Sequence, residues 1–234
     1  MSNVLPILKK ELRSYFTSPV AYIVITFFLV FCGVFFAIPL FVNGQASMRG
    51  AFSIVLYAFT FFVPAITMRL ISEEKKTGTF ELLVTMPVSD LEVIVGKYLA
   101  AFVLLMIGVG MTATHAITVS ALGNVDGGQV AAGYIGLALL GAAYVAVGIW
   151  ASSFTENQII AFLVSLTVIF ILTFIDKLLI FLPIGGATLF EYLGAEYHFN
   201  NIARGVLDTR DLVYYASLIF LGLYFSARAL KRRL

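Results

Sequence analysis

The side chains able to do chemistry concentrate in one stretch of this 234-residue chain. It runs from Arg69 to Lys97 and contains Glu73-Glu74-Lys75-Lys76-Thr77-Gly78-Thr79-Phe80-Glu81-Leu82-Leu83, then Met86-Pro87-Val88-Ser89. Gly78 predicts the stop of a helix that continues from Ile71 to Lys76 out of the preceding apolar run. Pro87 predicts a second stop. Ser89 with Glu92 three residues later is the S-x-x-E capping box, which opens a further helix. Between the stops, Phe80-Glu81-Leu82-Leu83-Val84 predicts a short helix with one apolar face, suited to docking into a groove of a cytosolic partner. The same stretch reads equally well as a solvated charged loop, because charge runs are usually solvated faces.

Other polar groups sit inside apolar runs. Thr112, His115 and Thr118 recur at helical spacing, and two readings are open: a polar lining of a path through the membrane, or hydrogen-bonding between helices. Asp176 and Lys177 are the charges set well inside an apolar run, near its end. They read either as a buried gate pair or as an interfacial pair whose heads reach water. His115 and His198 lack metal-ligand companions. There is no G-x-x-x-x-G-K-[ST] phosphate loop, no H-E-x-x-H and no G-x-S-x-G. The single cysteine, Cys32, excludes an intrachain disulfide and a Cys-based zinc site. The chain therefore carries no nucleotide-hydrolysing motif of its own and no recognisable catalytic centre.

The elements that position these groups follow from hydropathy. Hydrophobic residues make up 61% of the chain and charged residues 12%, far from the balance of a soluble domain. Six segments are long and apolar enough to cross a bilayer: 20–42, 51–68, 98–122, 130–152, 159–182 and 212–229. They must be helices, because backbone groups in lipid have to pair within the segment. The expected fold is an all-α integral membrane domain over 1–234, with 69–97 as the long inner loop. The first apolar run is too long for a cleavable signal. Asn43-Gly44, Gly123–Gly128 and Pro183–Gly186 mark breaks between spans, and Ser18-Pro19 predicts a helix start.

With the N-terminus inside, eleven Lys and Arg fall on the inner side and four, Arg49, Lys177, Arg204 and Arg210, on the outer side. That asymmetry predicts both termini in the cytoplasm. Val4, Leu5, Leu8, Leu12, Tyr15 and Phe16 recur at helical spacing away from Lys9, Lys10 and Arg13, which predicts an amphipathic helix over 1–17 on the inner surface. The external segment 183–211 interleaves Leu189, Leu193, Phe199, Ile202 and Val206 with Glu191, Glu196, Asn200 and Arg204. Short amphipathic helices dipping into the outer leaflet are expected there.

Glu73–Leu83 followed by Met86-Pro87-Val88-Ser89 resembles the signature of ABC-2 type permeases, E-E-[RK]-x-x-G-T-x-E-x-L-L and then x-P-[VI]-S. The resemblance extends along the chain. Lys9–Phe16 with Ser18-Pro19 is similar to that family's N-terminal interface helix, and Ala151–Gln158 to its loop between spans four and five. His198-Phe199 with Arg204–Asp211 is similar to its pattern before the last span. Together the motifs are most similar to the gliding-motility-type permease subunits.

The resemblance implies a six-span transmembrane subunit of an ATP-driven exporter that pairs with a second permease subunit, as a homo- or heterodimer. It implies docking to a separate ATPase subunit, which would hold ATP and magnesium, so that no cofactor binds this chain directly. A prokaryotic inner membrane, a possible accessory envelope protein and no nucleic acid complete the expected surroundings. Glu73, Glu74, Gly78, Thr79, Phe80, Glu81, Leu82, Leu83, Pro87, Glu156 and Asn157 become the candidates for ATPase coupling. Thr112, His115, Thr118, Asp176 and Lys177 remain the candidates for a pathway or gate. The alternatives are a subunit that transmits ATPase motion to an envelope or gliding machine without transporting, and an ion-coupled secondary transporter. The second would need ionisable residues at the bilayer midplane.

Overall fold

The computed structural model describes residues 3–42, 44, 48–79, 88–123, 126–178, 191–206 and 208–231. None of the described residues lies in a β-strand. Among the described residues the helices follow in order: α1 Val4–Thr17, α2 Pro19–Val42, α3 Met48–Thr67, α4 Ser72–Thr77, α5 Asp90–Met111, α6 Ala113–Leu122, α7 Gly127–Phe154, α8 Gln158–Leu178, α9 Ala195–Ala203 and α10 Thr209–Lys231. They make six helical stretches long and apolar enough to cross a membrane. The segment 80–87, which contains Phe80, Glu81, Leu82, Leu83 and Pro87, lies outside the described residues. So do 179–182 of the fifth expected span and 183–190 of the expected external segment.

Local chemistry sets the helix ends. Pro19 opens α2, and the Ser18 Oγ accepts the Val20 N–H at 3.3 Å. The Asp126 carboxylate caps α7 through the Gly128 N–H at 2.9 Å. At Ser89 both halves of the capping box are made, Glu92 N to Ser89 Oγ at 3.3 Å and Ser89 N to Glu92 Oε2 at 3.2 Å. The helix that starts there does not stop before the third span. It runs unbroken from Asp90 to Met111, because nothing between Glu92 and Tyr98 breaks a helix except Gly96. That glycine is where α1 seats: a Cβ at Gly96 would lie 2.7 Å from Ile7 Cγ2. The third span then breaks at Thr112, between α5 and α6. The second span also differs from the sequence expectation. Residues 68–71 form a turn between α3 and α4, so 71–76 is not a simple continuation of α3.

At the centre stands α7, packed against α3, α5, α8, α9 and α10. Lipid tails are as apolar as leucine, so close packing rather than water exclusion must hold these helices together. Glycines on α7 supply it. A Cβ at Gly133 would lie 2.1 Å from Phe52, at Gly141 3.2 Å from Phe59, and at Gly148 2.1 Å from Thr67. The partners advance along α3 as the glycines advance along α7, so the two helices run parallel, each glycine a hole for one α3 side chain. On the opposite face, a Cβ at Gly222 of α10 would lie 2.7 Å from the Ala146 carbonyl oxygen, so backbone meets backbone.

Two short helices pack against the spans. The stripe of α1 is half-buried along α5 and α2, and the Tyr15 hydroxyl donates to the Ile66 carbonyl at 3.1 Å. Burial, with the Glu11 carboxylate nearby, pushes that phenol above its ordinary range, which keeps it a donor. Leu5, also on the apolar stripe, is 59% exposed. Helix α9 does not lay an apolar face on lipid. Ala195, Glu196, His198, Phe199, Ile202 and Ala203 are all buried against α7, α8 and α10, with Gly136 leaving room for Phe199 and Ile202.

Candidate functional site at the α4 end

Helix α4 has only six residues, and three of its four charged side chains, Glu73, Glu74 and Lys75, each leave in a different direction, as the ~100° step between helix neighbours dictates. Glu73 turns back to Arg69, with Nε to Oε2 at 2.7 Å and Nη2 to Oε1 at 2.8 Å, a bidentate i, i+4 pair. Glu74 turns inward, where its Oε1 accepts from the Lys97 ammonium at 2.8 Å. The same ammonium donates to Glu11 Oε1 of α1 at 3.0 Å. The Lys97 side chain is 2% exposed, against 17% for Glu74 and 13% for Glu11. Lys75 turns toward α7 and donates to the Ser153 carbonyl. Gly78 then stops the helix in the left-handed region, at φ 72°, with its N–H on the Lys75 carbonyl.

The turn that precedes α4 is closed by one side chain of α7. The Ser152 Oγ accepts the N–H groups of Ile71 and Ser72, both at 3.1 Å, and donates to the Met68 carbonyl at 3.1 Å. Those backbone groups have lost their helical partners at the break, and Ser152 is fully buried. Water cannot replace it.

The structure therefore brings together some of the residues singled out in the sequence. Glu73, Glu74, Gly78 and Thr79 share one end of the bundle with Glu156 and Asn157, because Lys75 reaches the end of α7 just before that connection. Thr79 is exposed, with its hydroxyl 2.9 Å from that of Thr77. Glu156 and Asn157 are exposed, and Asn157 Oδ1 accepts the Ile159 N–H at 2.9 Å at the start of α8. Sequence reasoning missed Glu11, Lys97 and Ser152. A signal existed for two of them: Glu11 falls on the apolar stripe of α1, and Lys97 stands alone in the apolar run Val93–Leu99.

At the opposite end the candidates do not converge. Thr112 is buried at the break, its hydroxyl donating to Val109 at 2.6 Å and lying 3.4 Å from the Tyr134 hydroxyl. His115 stacks on Phe36 of α2, centroids 4.4 Å apart. Thr118 is exposed and donates to the Thr114 carbonyl. Thr112 is buried, His115 half-buried and Thr118 exposed, so the three line no common surface. Lys177 reaches Glu196 of α9, at 2.9 Å from Oε1 and 2.8 Å from Oε2, and also the Tyr57 hydroxyl. Asp176 Oδ1 is buried without a hydrogen-bond partner among the described residues. His198, unassigned in the sequence, is fully buried, with Nδ1 2.6 Å from Asp211 Oδ1, Nε2 2.9 Å from the Tyr192 carbonyl and its ring stacked on Tyr214 at 4.0 Å.

Six apolar helical stretches, one of them a glycine-lined central helix, with a charged, clamped element at one end, define a multi-pass helical membrane protein. Residues 37–194, about two thirds of the chain, match the family model described as ABC-2 family transporter protein. The chain belongs to that family and is a membrane component of transport. A search of curated proteins returned no match.

Proposed function

We propose that this chain is the permease subunit of an ATP-driven ABC-2 exporter, paired with a second permease subunit and driven by a separate ATPase that binds ATP and magnesium. The observation that carries the reading is the α4 end of a chain in this family. A short charged helix, tied to α1, α5 and α7, leads directly into the segment 80–87 with its Phe80-Glu81-Leu82-Leu83 cluster. Movement imposed on that segment by a partner has a mechanical route into the spans. Within the family, the resemblance of the motifs taken together to the gliding-motility-type permease subunits is the support for proposing that subtype.

In this reading the α4 end faces the cytoplasm of a prokaryotic cell and both termini lie inside, which the eleven-to-four distribution of Lys and Arg supports. Single cysteines at Thr77 and Glu156 should react with an impermeant maleimide only from the cytoplasmic side, and one at Asp126 only from outside. The native thiol, Cys32, is buried and leaves the background low. Labelling of Thr77→Cys in intact cells would reverse the orientation.

The coupling segment itself has a direct test. Phe80 and Leu83 each contribute about 1.5–3 kcal/mol if they bury against the ATPase. The double variant Phe80→Ser, Leu83→Ser should insert normally yet bind the ATPase about 100-fold more weakly, from the lower end of that range. Full co-purification together with undiminished ATP-driven transport in the double variant would remove this segment from the coupling route.

A further inference from the structure

We infer that Lys97 is a positioning residue for energy coupling: it carries displacement of α4 into α1 and into the base of span three at the same time. The inference rests on the coupling role proposed above. It starts from a junction of three elements at one buried atom, where Lys97 Nζ of α5 lies 2.8 Å from Glu74 of α4 and 3.0 Å from Glu11 of α1. Lys10, at 3.9 and 4.0 Å from the same two carboxylates, is 65% exposed and stays at the rim.

A buried ion triad is a poor device for stability alone, because well-packed apolar side chains of similar volume hold helices together as well or better. What the triad adds is a short, directional link that resists both separation and sliding. The surroundings give that link something to transmit. Residues 68–71 interrupt span two, so α4 is not part of the rigid α3 rod, and it turns on the Ser152 bridge to α7. Glu74 lies beyond this pivot. Lys97 is on a helix unbroken to Met111, and α1 passes through Ser18 alone into α2. Ile7 seated on Gly96 keeps α1 in register with α5 beside the triad. A tilt of α4 therefore moves spans one and three together.

The test uses the complete complex with its ATPase, on a Cys32→Ala background, with spin labels at Arg13 of α1 and Glu156 after α7. Electron–electron distance measurements compare the nucleotide-free state with the MgATP–vanadate state. The parent should show a nucleotide-dependent distance change. The neutral triple variant Glu11→Gln, Glu74→Gln, Lys97→Met should keep its melting temperature but lose more than half of that change. Glu11→Ala, which leaves the Lys97–Glu74 link in place, should lose a comparable share, and Lys97→Arg should keep most of it. An undiminished change in the triple variant overturns the inference while the coupling reading stands. If the triple variant does not assemble, an undiminished change in Glu11→Ala overturns it equally. A parent without any nucleotide-dependent change removes the coupling reading and this inference with it.

Discussion

Gly148→Leu is expected to lower the melting temperature sharply. A Cβ at this position falls 2.1 Å from Thr67 Oγ1 and 2.7 Å from Thr67 Cβ. Thr67 cannot swing clear, because it closes α3 with its hydroxyl on the Val63 carbonyl at 2.8 Å. The helices α3 and α7 must then separate, and the Ser152 bridge one turn farther along α7 separates with them. Overpacking of a tight core typically costs about 1–3 kcal/mol, and four added heavy atoms at a contact this close point to about 3 kcal/mol or more. For a chain of this length that is a fall of roughly 6–12 °C in melting temperature. Gly110→Leu is the matched control. A Cβ there meets nothing within 4 Å, so helix propensity alone predicts a neutral or slightly stabilising change. Thermal melts of both variants in the same detergent decide the matter. Equal melting temperatures would mean that α3 and α7 do not approach this closely.

Ser152→Ala should be the most damaging conservative change at the α4 end. It removes one oxygen and strands two backbone N–H groups, those of Ile71 and Ser72, while the Met68 carbonyl keeps the Ser72 hydroxyl as a donor. Each buried unsatisfied group costs about 1–3 kcal/mol. Relaxation of the turn recovers part of that, which leaves an expected loss of about 2–4 kcal/mol. Ser153→Ala makes the comparison sharp. That hydroxyl is also buried but donates only to the Trp150 carbonyl of its own helix, so its loss should change stability by well under half as much. Hydrogen exchange adds a local readout: amides 71 and 72 should lose protection in Ser152→Ala and keep it in Ser153→Ala. Similar melting temperatures for the two variants would mean that the break in span two is held by something other than Ser152.

The fold was legible in the sequence wherever it depended on neighbours along the chain. Long apolar runs predict six spans because lipid permits no unpaired backbone. The Ser89–Glu92 capping box, the Gly78 stop and the Pro19 start are rules that act within four residues, and the structure contains each of them. The candidate site was legible only in part. Glu73 and Glu74 stand out as charges in a motif, but periodicity does not say that one pairs along its own chain and the other turns into a buried triad. That depends on where α1 and α5 lie. The break at Thr112 and the turn at 68–71 were invisible for the same reason. Neither contains glycine or proline, and at 68–71 the groups left unpaired are satisfied by a serine about 80 residues away.

The sequence by itself determined the solvent, the number of crossings, the helix ends and the family. Each of these follows from composition or from interactions between residues close in the chain. Only the tertiary structure decided that Lys97 is buried, that α1 rests on α5 rather than on lipid alone, that α9 packs into the bundle, and that Lys177 answers Glu196. Two of them, the partners found by Lys97 and by Glu196, share one physical cause. A charged or polar side chain taken out of water must find its partner wherever the packing of the helices has put one.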